Sequence, residues 1–321
     1  MPRKTEDLPL FVLSGIGQLG RVSKAFSHPA AQGVVRASGG MGYGLLGVLC
    51  FSLTLPATRL AVSSFDPLIV GLGRAALAAV LAMLVLWRTR QRFPSGSQWK
   101  RLAVVAFGVI IGFPVLSSWA MQRVEASHGA VVLGLLPMAT ALVGCLRSGE
   151  RPGPLFWCAS AAGSAAAVAF PIASGCGGFQ VADLALFGAV ILCAFGYAEG
   201  ACLAREMGGW QVISWALTLS LPVIALPLFF VLRTRGWDAS PGSWLGLGYL
   251  GGFSSFLGFF AWYRGLAEGG IARVSQCQLL QPFFTLSFAA LFLGERIPVA
   301  AAVSASVVCG SVWIARRGAP W

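Results

Sequence analysis

The chain has 321 residues, of which 57% are hydrophobic and only 11% charged. A soluble domain carries about a quarter charged residues, so composition excludes a solvated enzyme or binding module. The net charge of +12 would suit nucleic acid, but the basic residues flank apolar runs instead of forming one patch, and nucleic acid is not expected as a partner.

Residues 1–40 come first and differ from the rest. The stretch "LPLFVLSGIGQLG" (8–20) is too short to span a bilayer. No small-residue cleavage site follows, so a secretory leader is not expected. The segment reads as a disordered or surface-lying cytoplasmic tail, with Met41 as an alternative start of translation.

Ten apolar runs follow, at 41–62, 67–87, 102–122, 128–147, 154–173, 182–203, 212–232, 244–263, 271–293 and 298–315. Each is close to the ~20 residues that cross a hydrocarbon core as a helix. They are about twice the length of a barrel strand and do not alternate, so they predict helices. The connections are short and leave no room for a soluble domain. The expected fold is therefore an all-α polytopic membrane protein with ten transmembrane helices.

Basic residues set the orientation. With a cytoplasmic N-terminus, seventeen fall at inner ends, including Arg88, Arg90, Arg92, Lys100, Arg101 and Arg147, against five at outer ends: Arg59, Arg123, Arg233, Arg235 and Arg296. Both termini are predicted cytoplasmic, the 88–101 loop inside and the 174–181 loop outside. Trp87, Trp157, Trp210, Trp244 and Trp313 lie near span ends, as an interfacial belt would. The lipid partner is the bilayer of a bacterial inner (plasma) membrane.

Of the eight cysteines, seven fall within spans, and only Cys176 lies in an outside loop. No C-x-x-C pair is present, so neither a zinc site nor a disulfide framework is supported. His28 and His128 are the only histidines and have no ligand partner in the sequence; a structural role is expected for His128. No metal or cofactor is expected. No P-loop is present, so ATP hydrolysis by this chain is not expected.

A repeat organises these spans. "PMATALVGCLRSGERP" begins at Pro137 and "PFFTLSFAALFLGERIP" at Pro282, 145 residues later, and in each the glutamate stands 13 residues after the first proline. Upstream, Arg123 and Gly129 match Arg264 and Gly270 at a spacing of 141, and "VLCFS" (48–52) resembles "ILCAFG" (191–196). The unit of about 145 residues holds five spans. Five is odd, so the second copy enters the membrane from the opposite side: two inverted five-helix repeats, at 41–173 and 174–316, with 317–321 a cytoplasmic end. Such repeats commonly build carriers with a substrate site near the midplane.

Gly149 and Gly294 are placed at helix ends, where glycine suits the C-cap. Pro152 and Pro298 fall near the first turn of the next helix. That puts Glu150 and Glu295 near the positive end of that following helix. A structural turn is the favoured reading, with a gating ion pair to Arg151 or Arg296 as the alternative.

The "P…GE" endings on the fourth and ninth helices, the arginine of "GLGRAALAAVL" (Arg74) and ten spans in two halves resemble the drug/metabolite transporter superfamily, specifically its EamA-type carriers. The resemblance covers about 42–316. It implies a central cavity lined mainly by helices 1–4 and 6–9, with 5 and 10 peripheral, and export of amino acids or other small metabolites. One departure is Phe51-Ser52, where the first helix of such carriers often has Trp-Gly.

Arg74 lies about eight residues into the second helix, ~12 Å below the outer edge of the hydrocarbon core. A charge at that depth needs water or a partner. It reads as an anchor for a substrate carboxylate or a gating pair, or as a structural contact to carbonyls. Glu199 lies ~7 Å from the inner edge. It is the coupling candidate, able to carry a proton, or else a carboxylate reaching the interface; at these depths a direct pair with Arg74 is not expected. Gln278, Gln281 and Thr285 are three and four apart and form a polar stripe. Pro282 cannot donate to the carbonyl of Gln278, nor Pro137 to that of Leu133, so both oxygens are expected to be free for a ligand. Trp119, Trp262 and Tyr263 occupy related helix ends and could gate, stack on substrate or anchor at the interface.

The function expected is export of a small neutral or zwitterionic metabolite, an amino acid first, by alternating access; the alternative is a flippase for a lipid-linked headgroup. The partners are the small molecule, the bilayer and, if transport is coupled, protons. A monomer would suffice. A membrane enzyme would need a convergent nucleophile, base or metal set, and none is legible.

Overall fold

Proline, glycine and serine punctuate the apolar runs, and the helices start and stop there. A computed structural model describes residues 37–124, 129, 132–173, 180–293, 307, 309–311 and 313–314. Cys176, His128, Gly294, Glu295, Arg296, Pro298 and most of the tenth run lie outside the described residues.

Helix α1 runs as Ala37–Ser52 and Thr54–Val62, interrupted at Leu53. Pro56 explains the interruption: it has no N–H for the carbonyl of Ser52. The Thr285 hydroxyl donates to that carbonyl instead, at 2.8 Å. Helix α2 is Pro67–Thr89, with Pro67 in its first turn and the Asp66 carboxylate accepting from Leu68 N–H at 2.9 Å. Helix α3 is Gly96–Met121, and Gln98 accepts from Ser95 N–H at its start. Helix α4 is Leu136–Ser148, with Pro137 in its first turn, and Gly149 ends it at φ 72°, its N–H bonded to Cys145 O at 3.0 Å. Only glycine takes that left-handed geometry without cost. Helix α5 is Pro154–Ala173, α6 Val181–Met207, α7 Gly209–Arg235 and α8 Pro241–Gly269. The next, α9, comprises Ile271–Ser275, a tighter turn over Gln276–Leu280, and Gln281–Leu293. All regular structure among the described residues is helical, and six helices (α1, α2, α3, α6, α7 and α8) are long and apolar enough to cross a membrane.

Two helices carry wide π segments at matching places. Ala106–Gly112 interrupts α3 and Leu250–Leu257 interrupts α8. Their starts lie 144 residues apart and their ends 145, so the motif spacing, and not the shorter Arg123–Arg264 spacing, governs this stretch.

Helix α1 packs along α8, α2 along α7, and α4 along α6. The α1–α8 approach is backbone to backbone. A Cβ on Gly40 would lie 2.5 Å from Gly269 Cα, and one on Gly265 would lie 2.6 Å from Gly44 N. Small residues that let helices touch this closely drive association where no hydrophobic force acts between them. Val223, Leu226, Phe229 and Phe230 of α7 are exposed, as a lipid-facing surface requires.

Candidate functional site

Near the centre of the bundle a small cavity is lined from α1, α2, α3, α6, α8 and α9, with Leu133 and Leu136 at the head of α4. Helix α7 contributes no lining side chain among the described residues and packs mainly along α2; this departs from a lining by helices 6–9 throughout. The open space is about 30 Å³, room for one or two waters. In this conformation it is too small to hold a metabolite.

Arg74 is the one charged side chain of the lining and is 3% exposed. Its Nε donates to Ser255 Oγ at 2.8 Å and its Nη2 to Ser254 Oγ at 2.7 Å. Ser254 Oγ lies 2.7 Å from Thr54 Oγ1. Two adjacent serines ordinarily point about 100° apart on a helix. The π segment of α8 widens the turn and lets both reach one guanidinium, the use to which such bulges are often put at functional sites. Phe51, Tyr197 and Phe259 form an aromatic side of the cavity, with Phe51 and Phe259 centroids 4.9 Å apart and Tyr197 and Phe259 6.0 Å apart.

The other sequence candidates divide. Gln281 lines the cavity, with its Nε2 3.5 Å from Phe51 O. Thr285 is buried against Ser52 O. Gln278 is 2% exposed and off the lining, and both its amide atoms lack a partner among the described residues. The carbonyl of Gln278 is not free for a ligand: Gln281 N–H donates to it. The hydrogen-bonded span before Pro282 shortens by one residue, to i→i+3, and re-satisfies the group that proline would have orphaned. Pro282 and Pro137 are buried, and each begins a fresh helical segment instead of kinking a continuous one.

Trp119 and Tyr263 do not reach the cavity. The Arg123 guanidinium stacks on Trp119, 3.7 Å from the ring centroid. Tyr263 is fully buried between α6 and α8, its hydroxyl donating to Gly196 O at 3.2 Å.

The acidic residues lie elsewhere. Glu199 of α6 is 3% exposed, and both carboxylate oxygens are held: Oε1 by Arg101 Nε, Oε2 by Arg147 Nε at 2.7 Å and by Arg147 Nη2. Arg101 also reaches Glu206. Glu150 does not sit at the start of α5, as its place in the chain suggested. It crosses to the other half of the chain and accepts from Ile271 N–H at 2.9 Å and Ala272 N–H at 2.8 Å, while Arg205 lies 3.1 Å away. The first turn of α9 exposes N–H groups that its own helix cannot satisfy, and the carboxylate meets them with favourable charge. Its cationic partner is Arg205, not Arg151. No cluster of metal-ligating side chains occurs among the described residues.

Sequence reasoning missed Ser254, Ser255, Thr54, Arg101 and Arg147. The tandem serines of "GGFSSFLG" (251–258), uncompensated polarity inside an apolar run, were the available signal.

Helices long and apolar enough to cross a membrane, packed around a small cavity that holds one guanidinium and several hydroxyls, are the architecture of a transporter. A profile of the EamA-like transporter family matches the chain twice, over residues 38–170 and 180–317. The chain belongs to that family. It is 50% identical over 275 residues, covering 85% of this chain and 96% of the relative, to an uncharacterized transporter, YdeK, of Bacillus subtilis (strain 168). At 25% identity over 280 residues (85% and 92%) it is similar to a probable terminal-alkyne amino-acid exporter of Streptantibioticus cattleyicolor. An uncharacterized transporter of Archaeoglobus fulgidus matches at 22% over 265 residues (80% and 90%). One solved crystal structure of a protein superposes with a TM-score of 0.72 at 17% identity, covering 88% of this chain and 98% of its own; that likeness concerns the fold alone.

Proposed function

We propose that the protein is a secondary carrier that exports a small neutral or zwitterionic metabolite, an amino acid first, across the bacterial inner membrane. Ten helices would form two inverted halves, 41–173 and 174–316, and both termini would be cytoplasmic. Each half can then adopt its partner's conformation, which is the basis of alternating access. The observation that carries the reading is the buried guanidinium of Arg74 in a closed central cavity, held by two hydroxyls. The matching π segments and the helix restarts at Pro137 and Pro282 support the paired halves. The terminal-alkyne amino-acid exporter supports the substrate class, because an amino acid brings the carboxylate that a guanidinium recognises. Glu199, the coupling candidate, stands outside the cavity between two guanidiniums. We assign it to closing that end, and the drive to the substrate's own gradient. One chain encloses the cavity, so a monomer suffices.

Uptake of a panel of labelled amino acids into inside-out vesicles tests this. Protein-dependent accumulation of at least one is expected. If none moves and a lipid-linked sugar does, a headgroup flippase replaces the amino-acid carrier.

A further inference from the structure

The cavity has two unlike walls. At the 145-residue spacing of the proline motif, Val109 and Ile110 of α3 correspond to Ser254 and Ser255 of α8, and Leu136 corresponds to Gln281. Leu133, also a lining residue, corresponds to Gln278. At three paired lining positions, Val109, Ile110 and Leu136, the first half offers alkyl where the second half offers hydroxyl or amide; Gln278, the counterpart of Leu133, lies off the lining. Arg74 stands against the polar wall, and its third nitrogen, Nη1, is buried without a hydrogen-bond partner among the described residues.

The second feature is what faces the arginine. No Asp or Glu among the described residues lines the cavity. Among the described acidic residues, Glu150, Glu199, Glu206, Glu268 and Asp66 each pair with another arginine, Asp183 caps the start of α6, and Asp238 is exposed beyond the end of α7. Arg74 thus carries a buried positive charge whose partners among the described residues are neutral hydroxyls. An uncompensated buried charge is costly, and a ligand that supplies the counter-charge recovers that cost. A ligand that adds a second cation recovers nothing further, because no carboxylate is placed to receive it.

We propose that this site, when the cavity widens from the contracted form seen here, takes the carboxylate of an amphipathic monoanion, with its apolar body against Val109, Ile110, Leu136 and the aromatic side chains, and does not read an α-ammonium. The inference rests on the carrier reading above and deepens it. The carboxylate meets Arg74 Nη1 and the hydroxyl protons of the serine pair in charge-assisted hydrogen bonds. A carboxylate without an amino group is therefore a substrate on the same terms as an amino acid. Its transport carries one net negative charge per cycle, so an inside-negative membrane potential drives it outward, by about 50-fold in concentration ratio at 100 mV.

Three probes share one apolar body and differ in charge: 3-phenylpropionate (carboxylate alone), phenylalanine (zwitterion) and 2-phenylethylamine (ammonium alone). Binding to the purified full-length protein is read by intrinsic tryptophan fluorescence at neutral pH. The expected order is phenylpropionate at least as tight as phenylalanine, with phenylethylamine weaker by 100-fold or more. Arg74→Gln should weaken both acids at least 10-fold, and Arg74→Lys, which keeps the charge and controls for folding, should restore part of the loss. In proteoliposomes, with protein-free liposomes as baseline, a potassium diffusion potential should accelerate protein-dependent phenylpropionate movement and leave phenylalanine movement unchanged. If phenylalanine binds and phenylpropionate does not, the ammonium is read and the inference falls while the amino-acid carrier stands. If phenylethylamine binds as well as the acids, the aromatic side is a cation site and the inference falls. If none of the three binds and no labelled amino acid is transported, both readings fall together.

Discussion

Where α3, α4 and α6 converge, closure is ionic: Glu199 lies between Arg101 and Arg147, and Glu150 holds the first amides of α9 beside Arg205. At the opposite end, where α1 and α2 meet α8, closure rests mainly on hydroxyls and backbone carbonyls. Ser64 Oγ lies 3.3 Å from Ser240, and Ser243 donates to Leu60 O at 3.0 Å. Arg59 adds two backbone carbonyls, Met121 and Val124. Among the described residues the one ion pair there, Arg235–Asp66, spans 3.6 Å with its arginine exposed, a kind of pair that contributes little. The contrast teaches which end yields first. A buried carboxylate with both oxygens engaged resists separation from its partners, whereas the exposed hydroxyls of Ser63 and Ser64 exchange protein for water at small net cost. Excursions from this closed structure should favour opening at the serine end.

The largest expected effect follows from breaking the ionic clamp. Glu199→Gln keeps the size of the side chain and removes the charge that two guanidiniums share. A hydrogen bond to a charged group contributes about 1.5–3 kcal/mol. The lower end of that range applies, because the Arg101 and Arg147 side chains are 27% and 50% exposed and regain water. At about 1.5 kcal/mol, opening of this end should rise roughly 10-fold. Cys202, half-buried about one turn from Glu199, reports it: with the other cysteines replaced, its labelling by a maleimide should accelerate by that factor. Unchanged labelling would mean that the clamp does not hold this end shut.

How much of this was readable beforehand depends on how local each cause is. Span ends lie within a few residues of expectation where Pro67, Pro154 or Pro241 begins a helix, because a proline acts on its own turn. Arg74 was legible because a guanidinium amid alanine and leucine has no local excuse. Gly149 was legible as a C-cap for the same reason. The partners of these residues were not. Glu150 binds amides 121 residues away, and nothing in "SGERP" says which helix start comes near. The tightening before Pro282 is a tertiary compromise, and the π segments place Ser254 and Ser255 together in a way that α-helical spacing forbids. Trp119 and Tyr263 looked like gates by position alone; packing sends one to Arg123 and the other into the α6–α8 contact.

A smaller effect should come from Glu150. Glu150→Ala removes the acceptor for Ile271 and Ala272 N–H, the loss of a helix cap worth about 1 kcal/mol. Glu150→Gln keeps one acceptor oxygen and should cost less than half of that. Amide exchange at 271 and 272 should speed up roughly 5-fold in the alanine variant, with exchange along α2 unchanged. Equal acceleration along both helices would show that Glu150 supports the fold at large and not the start of α9.

The smallest effect should come from the serine end, and it puts the comparison at most risk. Ser63 donates to Leu60 O within its own helix end at 2.8 Å and lies 3.3 Å from Ser243. Ser64 reaches Ser240 at 3.3 Å. Both cross-helix distances are long for a hydroxyl pair, whose usual separation is about 2.7–2.8 Å, and both serines are exposed. Water replaces such contacts without leaving a buried group unpaired, so the cost of losing them is within about 0.5 kcal/mol. Ser63→Ala with Ser64→Ala should therefore leave thermal stability in detergent within a degree or two, and should raise accessibility at that end less than 3-fold. Ser240 is left intact because its hydroxyl also accepts from Ser243 N–H at the start of α8, and its loss would mix a cap with a seam. A change as large as that of Glu199→Gln would place the two ends on equal terms. The preference for opening at the serine end would then have no physical basis.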